Sequence, residues 1–363
     1  MKKIIGIGTL VLVVIIGGYV VIHSRLASQH NTPLVVGVIL PLTGDSAVTG
    51  EKLHQGVELA EGELAQKNIQ FVVEDSHSDS RDAVSAASKL LNVDHVDVIV
   101  GTYSPDETIA VAPLADAKGE DVFSFSFCSD SFKSLANVFC GYPNAQKQLD
   151  TVLPLLQKKG VERLAIVDSA SDFGIQSRNV MTQDASSTGY TVVYSDLIPT
   201  SKDYRTLATK ALASGADALF TATDDPIDAL TLVKQARELG FKGTAITFID
   251  VDSKNLAGFG SAAENTYAPG IAPSQFSPAF TSAYQSAFGG KEPDYVSALG
   301  YDMTRYVVGA MEARGGKDLT QAALGYSYES PAIHGFHFLD DRTVIYDLEL
   351  QVVKDQEYVQ AKY

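Results

Sequence analysis

The sequence predicts an α/β protein made of two doubly wound lobes with mainly parallel strands. Three observations favour this fold: short apolar runs, amphipathic segments of helical period that follow them, and a restart of the same alternation after residue 142. Apolar runs that no polar residue interrupts are typical of strands buried on both faces. At 363 residues, the chain also exceeds the size at which a single core usually stops growing.

The first lobe alternates strands and helices from the start. Its predicted strands cover residues 34–40, 69–74, 96–100, 123–127 and 137–142, and its predicted helices cover 50–66 and a segment capped by Asp79 that carries Ala83 and Leu90. Parallel strands with helical crossovers leave loops at the carboxyl edge of the sheet, where open α/β folds bind ligands.

The second lobe repeats the pattern. Its predicted strands cover residues 163–167, 191–194, 218–223 and 244–249, with helices over 146–159, after Asp172, and over 204–213 and 227–239. A crossing segment at 267–273 precedes helices over 277–288 and 294–314, and the tail is a predicted strand pair over 335–339 and 343–353. We therefore assign residues 33–142 plus 271–334 to lobe I and 143–270 plus 335–363 to lobe II.

The loop after the predicted strand at 96–100 is a candidate anion site. Ser104, Pro105 and Glu107 have the spacing of a capping box with proline at the first helical position. The amide donors of such a helix start would point into solvent or a ligand, because they have no partner within the helix. The alternative is that Ser104 only caps its own helix.

The amino end predicts a membrane segment. Lys2 and Lys3 precede residues 4–22, an uncharged run that would span about 28 Å as a helix, close to one hydrocarbon core. We interpret residues 1–22 as an uncleaved signal-anchor helix with a cytoplasmic amino terminus, and 23–32 as a tether. Cleavage near Ala27 is the alternative. Either way, the rest of the chain would lie outside the cytoplasm. The uncleaved anchor would hold it at the cell membrane in a single-pass topology.

Composition excludes some partners. The formal net charge is −16, and no Lys/Arg cluster occurs, so nucleic acid is not an expected partner. Cys128 and Cys140 are the only cysteines, which is too few for a disulfide scaffold. They flank one loop and are expected to pair in an oxidising compartment, although the sequence leaves their geometry open.

Seven segments, in this order and spacing, resemble the type I extracytoplasmic solute receptors typified by the leucine/isoleucine/valine-binding proteins of ABC transporters. These are VGVILPLTG (36–44), FVVEDSHSD (71–79), VDVIVGTYSPDETIAVAPLA (96–115), RLAIVDSASDFG (163–174), GADALFTATDDP (215–226), LVKQARELGFKG (232–243) and ALGYDMTRYVVGAMEA (298–313). The resemblance covers nearly everything after the tether. It implies a periplasmic-binding-protein fold of type I whose hinged lobes close on a ligand.

The resemblance also implies a ligand-binding set. In lobe I, the α-carboxylate of an amino acid would be held by Ser104, Phe127 and Ser129, with Thr49 as a wall of the pocket. In lobe II, Phe173 stands where the family often has tyrosine, so stacking is kept while a phenolic hydrogen bond is lost. The alternative for Phe173 is a surface aromatic that packs at the hinge.

Acidic residues of lobe II would take the ammonium group of such a ligand. The resemblance points to Asp250 or Asp252, with Asp224 as a further candidate. Both Asp250 and Asp252 could instead cap the next short helix. The family's small-residue loop is replaced here by Ser126, Phe127, Cys128 and Ser129, so the ligand need not be leucine.

No nucleophile elbow, P-loop or calcium loop is present in the sequence, and we expect no enzyme activity, cofactor or metal. The expected function is capture of an amino acid or related small polar solute and its presentation to an ABC permease. The rival interpretation is a cell-envelope sensor or protein-interaction module of the same fold with a degenerate ligand site.

Overall fold

The structure, a computed structural model, describes residues 33–128, 130–223, 225–248, 253–271 and 273–362. The predicted anchor and tether, residues 1–32, lie outside the described residues. Within the described ranges, no helix combines the length and apolar character needed to cross a bilayer. Two large sheets, one of five and one of seven strands, form the two α/β lobes that the sequence predicts.

The strands mostly follow the predicted apolar runs. They are β1 Leu34–Leu40, β2 Ile69–Asp75, β3 Val98–Gly101, β4 Val122–Phe127, β5 Val138–Tyr142, β6 Arg163–Asp168, β7 Thr191–Leu197, β8 Ala218–Thr221, β9 Thr244–Thr247, β10 Thr266–Gly270, β11 His337–Phe338, β12 Val344–Ile345, β13 Glu349–Lys354 and β14 Glu357–Gln360.

The helices fill the connections. They are α1 Ala47–Leu64, α2 Ser80–Lys89, α3 Pro105–Asp116, α4 Ala145–Leu149, α5 Leu153–Lys159, α6 Asp172–Gln183, α7 Ala185–Thr188, α8 Tyr204–Ala213, α9 Pro226–Glu238, α10 Ser253–Phe259, α11 Pro278–Ala287, α12 Tyr295–Ala313 and α13 Leu319–Leu324. The helix predicted over 146–159 is interrupted between α4 and α5, because Pro154 has no backbone N–H to continue the ladder of α4.

Both sheets have a doubly wound strand order with one switch point each. The order of the lobe I sheet is β2-β1-β3-β4-β5, with all neighbours parallel. The order of the lobe II sheet is β14-β13-β10-β9-β8-β6-β7, in which β13 and β14 pair antiparallel. The strand order therefore reverses between β1 and β3 in lobe I and between β6 and β8 in lobe II. At such switch points the loops diverge and leave a crevice.

Each sheet is covered by helices on both faces. In lobe I, α1 and α12 pack on one face around Val38, Val100 and Phe123, all of them buried. The other face packs Ile39 and Ile99 against α2 and α3. The uninterrupted apolar strands thus bury both of their faces, as the sequence pattern predicts.

The carboxyl-terminal segment corrects one lobe assignment. The sequence assigns residues 335–363 to lobe II, but Phe336 and Phe338 lie in the lobe I core. The Phe338 ring centroid is 5.1 Å from that of Phe139. Only β13 and β14 join the lobe II sheet. The apolar pattern of a strand pair does not specify which of two sheets it packs against. In the structure, the segment with β11 and β12 packs beside β5 and therefore belongs to lobe I.

Candidate functional site

A cavity of about 560 Å³ lies between the lobes, at the switch points of both sheets. In lobe I it is lined by the loops after β1, β3 and β4, and in lobe II by the loop after β6. The lining residues are Ser46, Tyr103, Ser104, Pro105, Asp106, Ile109, Phe125, Ser126, Phe127, Ser131 and Tyr142 from lobe I, and Ala170, Ser171, Asp172 and Phe173 from lobe II. The volume suits a small-molecule ligand.

The lobe I wall is organised by the first turn of α3. The amide of Glu107 donates to Ser104 Oγ at 3.2 Å, and Glu107 Oε2 accepts from the amides of Ser104 and Tyr103, each at 3.2 Å. The predicted capping box, with Pro105 at N1, is confirmed. The Ser104 amide donates to Glu107, as the capping-box spacing predicts, and the Tyr103 amide donates to the same carboxylate. Neither of these two amides therefore points into solvent or a ligand.

A buried hydroxyl cluster holds this turn against the sheet. Thr108 Oγ1 lies 2.6 Å from Thr102 Oγ1 and 2.9 Å from Ser124 Oγ. Ser124 Oγ also accepts from the amide of Ser126 at 3.0 Å. Because all four residues are buried, these hydrogen bonds satisfy groups that would otherwise be costly to bury. The cluster fixes the loops after β3 and β4 relative to each other, and with them the cavity wall.

The lobe II wall is the first turn of α6. Ser171 caps this helix, and its Oγ accepts from the amide of Gly174 at 3.2 Å. A Cβ at Gly174 would lie 2.3 Å from the carbonyl oxygen of Ser169, so only glycine fits this position. The tight turn brings Asp172 and Phe173 to the cavity directly after β6.

Behind this wall, the buried carboxylate of Asp168 joins two strand ends of lobe II. Its Oδ1 accepts from the amide of Ala222 at 2.8 Å, and its Oδ2 lies 3.5 Å from Arg178 Nε. Burial raises the pKa of Asp168, while the Ala222 amide and the Arg178 guanidinium act in the opposite direction. The arrangement positions the loops after β6 and β8 and does not itself line the cavity.

Among the described residues, two contacts cross from lobe to lobe at the cavity. The ring centroids of Phe127 and Phe173 are 4.9 Å apart, and Ser131 Oγ donates to Asp172 Oδ2 at 2.8 Å. Phe127 is 8% exposed and Phe173 is 4% exposed. The lobes therefore touch along one side of the cleft, and the cavity is the space that remains beside this contact.

Cys128 and Cys140 form a disulfide with a Cα–Cα distance of 5.3 Å. It ties the loop after β4 to β5, and this loop carries Phe127 at one end and Ser131 within it. Both residues that contact lobe II from this loop thus lie next to the covalent link. A second groove, of about 450 Å³, runs beside the disulfide between the lobes.

The predicted site residues divide into three groups. Ser104, Phe127 and Phe173 line the cavity together. Thr49 lies in the first turn of α1, and at this edge of the cavity the lining residue is Ser46. The remaining four, Ser129, Asp224, Asp250 and Asp252, lie outside the described residues.

Several residues that line the cavity are not among the site residues predicted from the sequence. Tyr103 and Asp172 each adjoin a predicted site residue, Asp106 lies two residues after Ser104, and Tyr142 is the last residue of β5. Their position in the chain could have identified them as site residues, because each lies at or shortly after the carboxyl end of a strand. A search of every such position, and not only of family motifs, would have found them.

Comparison with known proteins agrees with this architecture. The sequence model of a family described as periplasmic binding protein matches residues 33–357. Relatives include Leu/Ile/Val-binding protein homolog 7 of Brucella suis, 24% identical over 237 residues, and homolog 8 of Brucella abortus, 25% identical over 245 residues. The matches cover 61% and 62% of this chain and only 59% and 60% of the relatives' own lengths.

Solved structures share the fold. A solute-binding protein of Rhodopseudomonas palustris in complex with p-hydroxybenzoic acid superposes with a TM-score of 0.81 at 22% identity, covering 91% of this chain and 96% of that one. The leucine-binding protein LivK of Thermotoga maritima superposes with a TM-score of 0.79 at 20% identity, covering 91% and 98%. Since the family's sequence model spans both lobes, this chain belongs to the periplasmic binding protein family.

Proposed function

We propose that this protein is the extracytoplasmic solute receptor of an ABC transporter, a binding protein without enzymatic activity. The observation that carries the proposal is the cavity between the lobes, which loops from the switch points of both sheets line together. A ligand held from both sides would stabilise the closed arrangement over an open one, because only the closed form contacts it from both lobes. A permease could then distinguish the loaded receptor from the empty one.

The proposed ligand is an amino acid or a related small polar solute. The curated relatives carry the names of Leu/Ile/Val-binding proteins, and solved relatives hold isoleucine or p-hydroxybenzoic acid. In this chain, Ser104, Phe127 and Phe173 would contact the ligand. Ser129, Thr49, Asp224, Asp250 and Asp252 complete the proposed set by resemblance.

The proposed location is the outer face of a membrane, with residues 1–22 as the anchor and 23–32 as the tether. The family places its binding domains outside the cytoplasm, and the disulfide is of the kind that persists in oxidising compartments. The proposed partner is the membrane-embedded permease of an ABC transporter.

One observation favours the rival function, a sensor or interaction module with a degenerate site. Phe127 and Phe173 pack directly against each other across the lobe boundary, with ring centroids 4.9 Å apart. A receptor whose lobes close fully on their own side chains would leave no space in the cleft for a solute. The cavity beside the two rings supports the receptor function over this rival.

A thermal-shift panel of amino acids, amides, amines and aromatic acids on the full chain in detergent tests the proposal. A ligand at 100 times its Kd stabilises the folded state by about 2.7 kcal/mol, which gives a clear rise in Tm. Ser104→Ala and Asp252→Asn should each weaken a hit, and Ser282→Ala, on the exposed face of α11, serves as the matched control. A panel without any hit would favour the interaction module.

A further inference from the structure

The charged residues that line the interlobe cavity, among those described, are all acidic. Among the described residues that line it, none is Lys, Arg or His, while Asp106 and Asp172 both contribute carboxylates. Asp172 accepts a single hydrogen bond across the cleft, from Ser131. A carboxylate ligand would therefore meet negative charge on both walls without a described basic side chain to compensate it. Such an arrangement opposes anions, because like charges repel at short range. Both aspartates are exposed, so water and salt weaken this repulsion without reversing its sign.

The helix start that could hold a carboxylate already holds one from the protein itself. Glu107 Oε2 accepts from the amides of Tyr103 and Ser104, and Glu107 is only 2% exposed. Two of the donors that an incoming anion needs at the start of α3 are therefore engaged. The Glu107 carboxylate also adds a third negative charge directly behind the cavity wall, which further disfavours a bound anion.

The rest of the cavity wall is suited to a cation with an apolar body. Five aromatic residues line the cavity, and their ring faces carry a negative quadrupole that attracts ammonium groups. They are Tyr103, Phe125, Phe127, Tyr142 and Phe173. Ile109 adds an aliphatic side chain to the same wall. Rings and carboxylates together are the chemistry by which proteins recognise organic ammonium ions.

We infer that the ligand is an organic cation, an amine or quaternary ammonium with an apolar body and no carboxylate. The inference rests on the proposed receptor function. It narrows the proposed ligand from amino acids and related small polar solutes to amines of that group that lack a carboxylate. It departs from the zwitterion that the family resemblance implies and from the aromatic acids bound by solved relatives. The physical reason is that Glu107 takes the place at the start of α3 that a ligand carboxylate would need.

Two matched sets of four ligands test the inference by calorimetry on the full chain in detergent. The aromatic set is phenethylamine, phenylalanine, 3-phenylpropionate and 2-phenylethanol, and the aliphatic set is isoamylamine, leucine, 4-methylpentanoate and isoamyl alcohol. We expect the amine of at least one set to bind about tenfold more tightly than its zwitterion and its acid, as one or two cation–ring contacts would give.

The outcomes separate the two proposals. Tighter binding of an amino acid or acid than of its amine would overturn the cation class and leave the receptor function standing. Equal binding of all members of a set would also overturn it, since charge would then play no part. Binding of none of the eight would overturn the ligand class, and the thermal-shift panel would then decide separately whether the receptor function stands.

Variants locate the effect. Asp106→Asn and Asp172→Asn should each weaken amine binding severalfold more than they weaken binding of the neutral alcohol, and Asp116→Asn, at the exposed far end of α3, is the matched control. Glu107→Ala should shift the preference toward the carboxylate-bearing ligand, because it removes a charge and leaves the Tyr103 and Ser104 amides without the Glu107 oxygen. An unchanged ranking of ligands in Glu107→Ala would contradict the inference.

Discussion

The phenyl rings of Phe127 and Phe173 meet across the lobe boundary, with centroids 4.9 Å apart. Phe127 ends β4 of lobe I, yet its side chain belongs to the core cluster of lobe II. Phe173 continues the stack to Phe248, at 4.9 Å. Lobe closure and the packing of lobe II thus depend on the same ring, so a change at either residue should alter the arrangement of the lobes as well as stability.

Phe173→Ala should increase the fraction of molecules with separated lobes. Aromatic pairs contribute about 0.5–1.5 kcal/mol beyond their buried area, so losing one shifts a closed–open equilibrium severalfold. Small-angle scattering should show a larger radius of gyration for the variant. Phe276→Ala is the control, because Phe276 packs within lobe I and should lower stability without changing the radius. Equal radii for wild type and Phe173→Ala would contradict this prediction.

Removing the disulfide should lower both stability and ligand affinity. The Cys128→Ser, Cys140→Ser double variant releases a loop closed at a separation of 12 residues, which should cost about 3 kcal/mol of unfolding free energy. Urea denaturation measures this loss. Affinity should fall too, because the released loop carries Phe127 and Ser131. Reductant should destabilise the wild type and leave the double variant unaffected.

Ser104→Ala should lower the unfolding free energy by about 1 kcal/mol, because it removes the acceptor for the Glu107 amide. Ser104→Thr keeps a hydroxyl at the N-cap and should recover most of this loss. Chemical denaturation of both variants measures the difference. Identical losses for alanine and threonine would mean that the cap hydrogen bond contributes nothing.

Two glycines of the same helix should respond in opposite directions to alanine. A Cβ at Gly56 of α1 would lie 2.0 Å from the carbonyl oxygen of Ser297 at the crossing with α12, so Gly56→Ala should destabilise by about 1–3 kcal/mol. A Cβ at Gly62 meets nothing within 4 Å, so Gly62→Ala should stabilise by about 0.5–1 kcal/mol through helix propensity. Thermal denaturation of the two variants compares them directly.

Stability should fall as the pH rises from about 4 to about 7, through Asp302. Burial raises the pKa of this carboxyl to about 6, although Tyr328, Ser330 and the amide of Ile333 donate hydrogen bonds to it. The pKa of Asp302 is higher in the folded state, at about 6, than in the unfolded state, at about 4. The folded state therefore binds the proton more tightly, and the stability that this proton contributes is complete below about pH 4 and is lost as the pH rises through about 6.

Asp302→Asn cannot titrate and should lose the part of the pH dependence that Asp302 contributes. Asp121 and Glu120, whose pKa values burial raises to about 6 and about 7, keep their own parts in both proteins. Because Asp302 is 0% exposed, solvent screening does not reduce the effect of its pKa shift on the free energy of unfolding. Between pH 4 and pH 7, the unfolding free energies of wild type and variant should therefore diverge by about 3 kcal/mol in favour of the variant. Urea titrations at several pH values measure the divergence. Parallel curves would contradict the assignment to Asp302.

The local order of strands and helices could be predicted from the sequence because it depends on residues close together in the chain. The run from Leu34 to Leu40 forms a strand because its unbroken apolar side chains must be buried on both faces, and it lies where the pattern predicts. The capping box at Ser104 could be predicted for the same reason, since a three-residue spacing determines both of its hydrogen bonds.

The site was only partly predictable, because its residues meet through packing. The sequence indicated Phe127 and Phe173 as ligand contacts, but their contact with each other depends on how two sheets approach. The place of Phe336 and Phe338 in lobe I likewise could not be read from an apolar pattern that fits either sheet.

By itself, the sequence determined two α/β lobes, their switch-point loops and a capped helix start facing the cleft, because periodicity and caps are local properties of the chain. Only the tertiary structure decided which residues surround that helix start. The approach of the lobes sets five aromatic rings and two acidic residues around one cavity, and the Glu107 carboxylate, which caps Ser104, also accepts from the amide of Tyr103. The charge and shape of the cleft arise from residues that are far apart in the chain, so no local sequence pattern predicts them.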